Sequence, residues 1–245
     1  MKPTSKYIFS LLLISVSFFA HTQETKIKDS IKPKTEKYGL RLGVDLFRLS
    51  RSFWEKDYRG IELTGDFKIT RKHYIAAEIG NENKTIEERN LNFTTQGTYL
   101  KAGFDYNAYE NWAGMQNQIY IGLRYGISSF SQKLNNYTVY NTNHYFGENV
   151  VVEGQKFDGL SAHWAEIVTG IKAELVNNLY IGFNVRLNYL IGNNKPENFD
   201  NLYIPGFNKT YNGKFGTGFN YTISYFIPLY KSTIKSKEIS KAKKN

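Results

Sequence analysis

The sequence predicts an all-β protein, a transmembrane antiparallel up-and-down β-barrel of about eight strands. Three observations predict it. Eight segments alternate apolar and polar residues with a period of two, no charge falls on any of their apolar faces, and the connections between them run short and long in turn. Successive strand residues point to opposite sides, so this alternation describes a sheet with one apolar and one polar face.

The first strand, Tyr38 to Leu46, sets Leu40, Leu42, Val44 and Leu46 against Arg41, Gly43 and Asp45. The second sets Ile61, Leu63, Phe67 and Ile69 against Glu62, Thr64, Asp66 and Lys68. In the third, Ile75, Ala77 and Ile79 oppose Tyr74, Ala76 and Glu78; in the fourth, Leu100, Ala102, Phe104 and Tyr106 oppose Lys101, Gly103 and Asp105. The fifth runs from Ile119 to Ile127, with Tyr120, Gly122, Arg124 and Gly126 on its polar side. The sixth places Glu166, Val168, Gly170 and Lys172 opposite Ala165, Ile167, Thr169, Ile171 and Ala173, and Glu174 continues its polar side. The seventh, Leu179 to Leu187, carries Tyr180, Gly182, Asn184 and Arg186 on the polar side. The last sets Phe219, Tyr221, Ile223, Tyr225 and Ile227 against Gly218, Asn220, Thr222 and Ser224.

Alternation alone does not say which face is outside, because a soluble lipocalin-like barrel turns its apolar face inward. Polar faces rich in Gly and Tyr suit a crowded interior better than a solvated surface. Strands of about 9–11 residues match what a tilted strand needs to cross a bilayer. Tight turns at 70–72 and 176–178 alternate with long connections at 47–58, 81–92, 131–159 and 192–213, and only the turn at 107–118 is longer than the pattern asks. Outer-membrane barrels have short periplasmic turns and long outer loops, so both termini are expected in the periplasm. Aromatic residues near strand ends (Phe53, Trp54, Tyr58, Tyr106, Tyr109, Trp112, Trp164, Tyr189, Tyr225 and Tyr230) are expected to form an interfacial girdle.

Residues 1–22 read as a signal peptide, with Lys2 and Lys6 before an apolar run from Ile8 to Ala20. Residues 23–37 read as a polar, Lys-rich linker, 38–230 as the barrel and 231–245 as a basic periplasmic tail. The net charge of +10 does not indicate nucleic acid. Of 32 Lys and Arg, seven precede residue 38 and six follow residue 230, against three and one of the 22 Asp and Glu, which leaves the middle near neutrality. The absence of cysteine excludes a disulfide framework, a thiol nucleophile and a thiolate metal site.

The segments 38–45 (YGLRLGVD), 57–62 (DYRGIE) and 120–126 (YIGLRYG) resemble the small outer-membrane β-barrels of Gram-negative bacteria, and more narrowly uncharacterised barrel families of the Bacteroidota. The resemblance covers roughly residues 38–230 and implies a fold and a location, but no activity and no functional residues. Such barrels commonly end in a C-terminal aromatic residue; here a basic tail follows Tyr230.

The inward polar residues are the first candidate site. Arg41, Lys68, Lys101, Arg124, Lys172 and Arg186 face Asp45, Glu62, Asp66, Glu78, Asp105, Glu166 and Glu174, and an eight-stranded interior is just wide enough for side chains to fill. Such charges must pair and hydrogen-bond, which favours a lumen-filling ion-pair network over a pore. Ser161 and His163 share the outward face, whereas Glu166 points inward and cannot readily orient the imidazole, so no catalytic residue is assigned. The remaining histidines are scattered, and no metal site or cofactor is expected. The 131–159 loop, with Tyr137, Tyr140, Asn143, Tyr145 and Phe146, is the candidate for surface recognition of an extracellular ligand. The sequence therefore suggests a non-enzymatic outer-membrane barrel with a structural or binding role and lipid as its constant partner. A narrow, porin-like channel for small or apolar solutes and a membrane-embedded lipid-modifying enzyme are the alternatives.

Overall fold

The computed structural model describes residues 35–112, 115–139, 149–151, 154–196, 200–209 and 213–233. Its elements are β1 (Thr35–Asp45), α1 (Leu46–Trp54), β2 (Tyr58–Lys68), β3 (His73–Glu88), β4 (Leu91–Asn107), β5 (Gln118–Val139), β6 (Asn149–Val151), β7 (Lys156–Val176), β8 (Leu179–Asn193) and β9 (Phe215–Thr233). Each long strand pairs antiparallel with its neighbours. β1 pairs with β9 from Thr35↔Thr233 to Asp45↔Thr222, which closes eight strands into a ring. The short β6 adds only to the far end of β5, opposite Tyr137–Val139. Among the described residues no helix is long and apolar enough to cross a membrane.

Closure pairs most of the strand backbone and leaves side chains to choose between two sides. The choice follows the alternation: Leu63, Ile75, Ile121, Leu123, Ile167 and Ile171 are each about half exposed on the outer face, while Glu62, Lys101, Asp105 and Glu166 between them are buried. The ring is closed slightly beyond the predicted limits. β1 starts at Thr35 and β9 runs to Thr233, and a bulge at Tyr38/Gly39 lets Glu36 as well as Arg41 face inward. Residues 1–34, expected as a signal peptide and most of a linker, and the expected tail beyond Thr233 lie outside the described residues.

Three expected outer connections turn out to be built differently. The 81–92 segment is strand, and β3 and β4 meet at a two-residue turn, Arg89-Asn90. Its alternation disappears because the outward residues there are polar too; Asn81 bonds Thr98 at 3.0 Å and the Thr85 and Thr94 hydroxyls meet at 2.9 Å. β5 and β7 likewise extend into the predicted 131–159 loop, to Val139 and from Lys156. The 47–58 connection contains α1, whose N-cap is Asp45: the Phe47 N–H donates to the Asp45 carboxylate at 2.8 Å.

Two expected girdle residues are inside. Trp164 and Tyr58 share parity with Glu166 and Glu62, and both are buried. Trp164 stacks into the gap at Gly126, where a Cβ would come within 2.3 Å of the indole, and Tyr99 fills the gap at Gly80 in the same way. Phe53, Trp54, Tyr106, Tyr109, Trp112, Tyr189, Tyr225 and Tyr230 are exposed.

Because indole and glycine form one packed unit, Trp164→Ala should destabilise the ring by about 3–5 kcal/mol, and Gly126→Val by at least the 1–3 kcal/mol typical of overpacking. Urea titration of the refolded protein in detergent micelles would measure both. Changes below about 1 kcal/mol in both would contradict this packing.

Candidate functional site: a charged interior beneath an apolar plug

The ring interior has two layers. The lower is ionic. Glu78 on β3 receives a fork from Arg186 on β8, at 2.6 and 3.1 Å, and lies 3.5 Å from Lys101 and 3.6 Å from Arg124. Arg186 also reaches Glu166 at 3.1 Å. Lys101, fully buried, lies 3.4–3.5 Å from Glu62, Glu78 and Glu166. Arg124 pairs with Asp105 at 2.7 Å. Towards the chain ends, Asp66 is shared by Lys172 at 2.6 Å and Arg41 at 3.5 Å, and Arg41 stacks on Tyr180 with its guanidinium carbon 4.3 Å from the ring centre. Lys68 pairs with Glu36 at 2.7 Å. Charged–neutral bonds complete the carboxylates: Trp164 donates to Glu166 at 2.6 Å, Tyr99 to Glu62 at 2.7 Å. Such pairs offset desolvation only when each remaining lone pair is met.

Twelve of the thirteen polar residues singled out from the sequence thus pair inside the ring, in two groups: Arg41, Asp66, Lys68 and Lys172 towards the chain ends, and Asp45, Glu62, Glu78, Lys101, Asp105, Arg124, Glu166 and Arg186 beyond them. The exception is Glu174, half-buried at the lower rim, where its carboxylate accepts from the Asn178 N–H at 2.8 Å. The void left beside Arg41, Asp66, Tyr120 and Arg186 is about 20 Å³, room for about one water.

The upper layer is apolar, and the sequence pattern did not anticipate it. Residues 201–207 of the β8–β9 connection turn into the ring, where Ile204 and Phe207 are wholly buried against Tyr99, Phe130, Leu160, Trp164 and Leu190. Phe207 meets Trp164 edge-on at 5.7 Å. The inserted turn is closed by the Ile204↔Asn208 bridge and requires φ +81° at Gly206. A Cβ there would lie 2.5 Å from the Tyr99 ring, so glycine is required twice over. Tyr203 donates to Asn208 at 3.1 Å, and burial pushes its phenol up to about 12.

Glu82 joins the plug to the wall. Its carboxylate accepts from the Gly206 N–H at 2.8 Å, from the Tyr58 hydroxyl at 2.6 Å and from Arg48 of α1, which also lies 3.3 Å from Asp45 and Glu62. Neither Arg48 nor Glu82 belonged to a recognised strand face. The Pro205-Gly206 pair was the one visible sign of a turn, and nothing in it marked the turn as buried.

Ser161 and His163 lie on the outer face, while Glu166 is inside and engaged by Arg186 and Trp164. Of the proposed recognition residues, Tyr137 is half-buried near the end of β5; Tyr140, Asn143, Tyr145 and Phe146 lie outside the described residues. No cluster of metal-ligand side chains occurs among the described residues.

Removing one partner of a buried pair leaves an uncompensated charge. Glu78→Gln should cost about 3–5 kcal/mol, whereas the paired exchange Glu78→Leu with Arg186→Met should cost less than the two single changes combined. Additive losses in denaturant titrations would show that the two residues are not coupled. Gly206→Ala should expel the plug, at about 1–2 kcal/mol from the left-handed backbone alone, and Glu82→Ala should loosen it. In both, hydrogen exchange should rise over 201–207 while strand amides stay protected; unchanged exchange would contradict the insertion.

No curated protein matches this chain. One family model does, over residues 4–232, which takes in the ring and the plug together. The chain belongs to the family described as Domain of unknown function (DUF6048).

Proposed function

We propose that this protein is an outer-membrane β-barrel that spans the bilayer with a filled, non-conducting interior and acts through its outer end, in a structural or binding role. The observation that carries this reading is the inverted distribution of polarity. Apolar side chains encircle the ring on the outside and ion pairs occupy the inside, an arrangement that water on both faces would penalise.

The apolar band has an edge. Ile79, Leu100, Ile127 and His163 stand side by side on β3, β4, β5 and β7, and two residues further out the same four strands present Asn81, Thr98, Ser129 and Ser161. On β5 the outward apolar residues run from Ile119 to Ile127, about 26 Å of strand at ~3.3 Å per residue. At a strand tilt of about 40° this spans about 20 Å across the band, and the flanking aromatic rings extend it towards the height of about 25 Å typical of such barrels. Exposed Tyr106 and His73 meet at one margin, and Tyr189 and Phe215 at the other. Ser161 and His163 at the band's edge read as interfacial residues, so the reading is non-enzymatic.

The void of about 20 Å³ and the inserted plug argue against the channel alternative. An open lumen would need the Arg186–Glu78 fork broken and residues 201–207 withdrawn. The porin-like comparison therefore extends to the wall alone. With the lumen filled, specificity falls to the outer end, where the β3–β4 hairpin and β5–β7 project beyond the band.

Membrane residence predicts that the protein fractionates with the outer membrane and migrates faster unboiled than boiled on detergent gels. Recovery as a soluble periplasmic protein would overturn it. Within the band, Leu123→Arg should cost about 2–4 kcal/mol in vesicles, and Leu123→Phe should be nearly neutral. The reverse order would mean that this face is packed against protein.

A further inference from the structure

The eight strands do not all close on one another along their full length. β1 ends at Asp45 opposite Thr222, so the edge of β9 from Phe215 to Tyr221 has no strand partner among the described residues. On the other side, β2 from Tyr58 to Glu62 also runs beyond its last pairing with β1, Leu63↔Val44. Helix α1 stands in this gap unevenly. It is tied to β2 by the Ser52 hydroxyl, which accepts from the Gly60 N–H at 2.9 Å and donates to the Gly60 carbonyl at 3.2 Å. Towards β9 it presents the Phe47 ring, 4.6 Å from the outward-facing Phe219 ring.

A cavity of about 770 Å³ opens at this seam, within the size range of small-molecule sites. Its lining includes inward residues (Arg186, Asn188 and Asn220) and outward ones (Val185 and Phe219), so it passes through the wall beside the free edge of β9. The deep walls are basic. Arg48 and Arg186 line it while their carboxylate partners Glu62, Glu78 and Glu166 do not; Arg51 and Lys84, both half-buried, share the single carboxylate of Glu55. The acids that line it, Asp57, Glu87 and Glu88, are exposed at the rim. Asn188 is 2% exposed, and its side-chain oxygen has no hydrogen-bond partner. An unmet buried acceptor calls for a donor from a bound molecule or water.

We propose that this cavity binds an amphiphile with an anionic head and an acyl chain. The head is held between Arg51 and Lys84, a water beside the head donates to Asn188, and the chain leaves through the seam past Phe47 and Phe219 into the surrounding bilayer. Carboxylate and phosphate monoester heads share this chemistry. The proposal rests on the membrane reading above, which supplies the acyl phase at the seam.

The test is native mass spectrometry of the full chain purified in dodecyl maltoside, titrated with laurate, dodecyl phosphate or dodecanol. One equivalent of laurate or dodecyl phosphate should bind at least tenfold more tightly than dodecanol. A preference between the two anions separates a free fatty acid from a phospholipid-like ligand. The double variant Arg51→Gln, Lys84→Gln should lose at least tenfold in affinity. Gly218→Leu tests the space: a Cβ at Gly218 meets nothing nearer than Asn208, at 3.9 Å, so leucine fills the cavity without strain in the wall and should abolish binding. Dodecanol binding as well as the anions, or Gly218→Leu and the double variant binding like the unaltered chain, would overturn the proposal. Faster migration of unboiled samples separates the two readings. A chain that shows it but binds no anion refutes this site alone; one that is soluble and does not show it refutes the membrane reading.

Discussion

A closed ring that turns its apolar side chains outward must place the other half of its side chains in a space too narrow to hydrate them. Every buried charge in that space must therefore find an opposite charge and enough donors or acceptors to replace water. Glu78 is where this constraint is met most fully, with Arg186, Lys101 and Arg124 converging on it from β8, β4 and β5. The Glu78–Arg186 fork joins strands that are not neighbours in the ring, so it braces the wall across its diameter. A hydrophobic contact between neighbouring strands does not do this. The network is thus also the reason that the space beside Arg41, Asp66, Tyr120 and Arg186 holds almost no free volume.

The two ends of the ring are finished by different means. At the end bearing the termini, Arg41 on Tyr180, Lys68 with Glu36 and the carbonyl and amide of Gln116 continue the ionic pattern to the rim. At the opposite end the strands outgrow the apolar band, and their inward residues change from charged to apolar: Tyr99, Phe130, Leu160 and Leu190. That change creates a small hydrophobic core, which the 201–207 turn enters to fill. Glu82 couples the turn, α1 and β2 through one carboxylate, so the plug and the helix are held by the same group. The uneven attachment of α1, bonded to β2 and touching β9 through Phe47 and Phe219, leaves a weak line in the wall on the side where β1 stops short.

The strands, their parity and the polar residues that meet inside were legible in the sequence because a period of two is a local property. Arg41, Glu78, Lys101 and Arg186 are identifiable from their immediate neighbours alone. Trp164 and Tyr58 had the same inward parity, but their aromatic character and place near strand ends suggested a girdle; parity is the stronger signal, since a strand cannot rotate one residue alone. The strand extensions through 81–92 and into 131–159 escaped notice because polar residues occupy both faces there, which removes the alternation while leaving backbone pairing intact. α1 had a readable start at Asp45, but no local feature says that its Arg48 turns into the ring.

By itself the sequence determined a sheet of about eight strands with one apolar and one charged face, and the identity of most of the charges. Tertiary structure alone decided that the sheet closes, that the charged face is the inner one, which acid meets which base, and that the Tyr203–Phe207 turn lies inside. The physical reason is range. Alternation is set between residues one and two apart, whereas the Glu78–Arg186 fork, the Glu82–Gly206 bond and the short β1 beside a long β9 join residues more than a hundred positions apart. No pattern within a strand encodes such distances until the ring has closed.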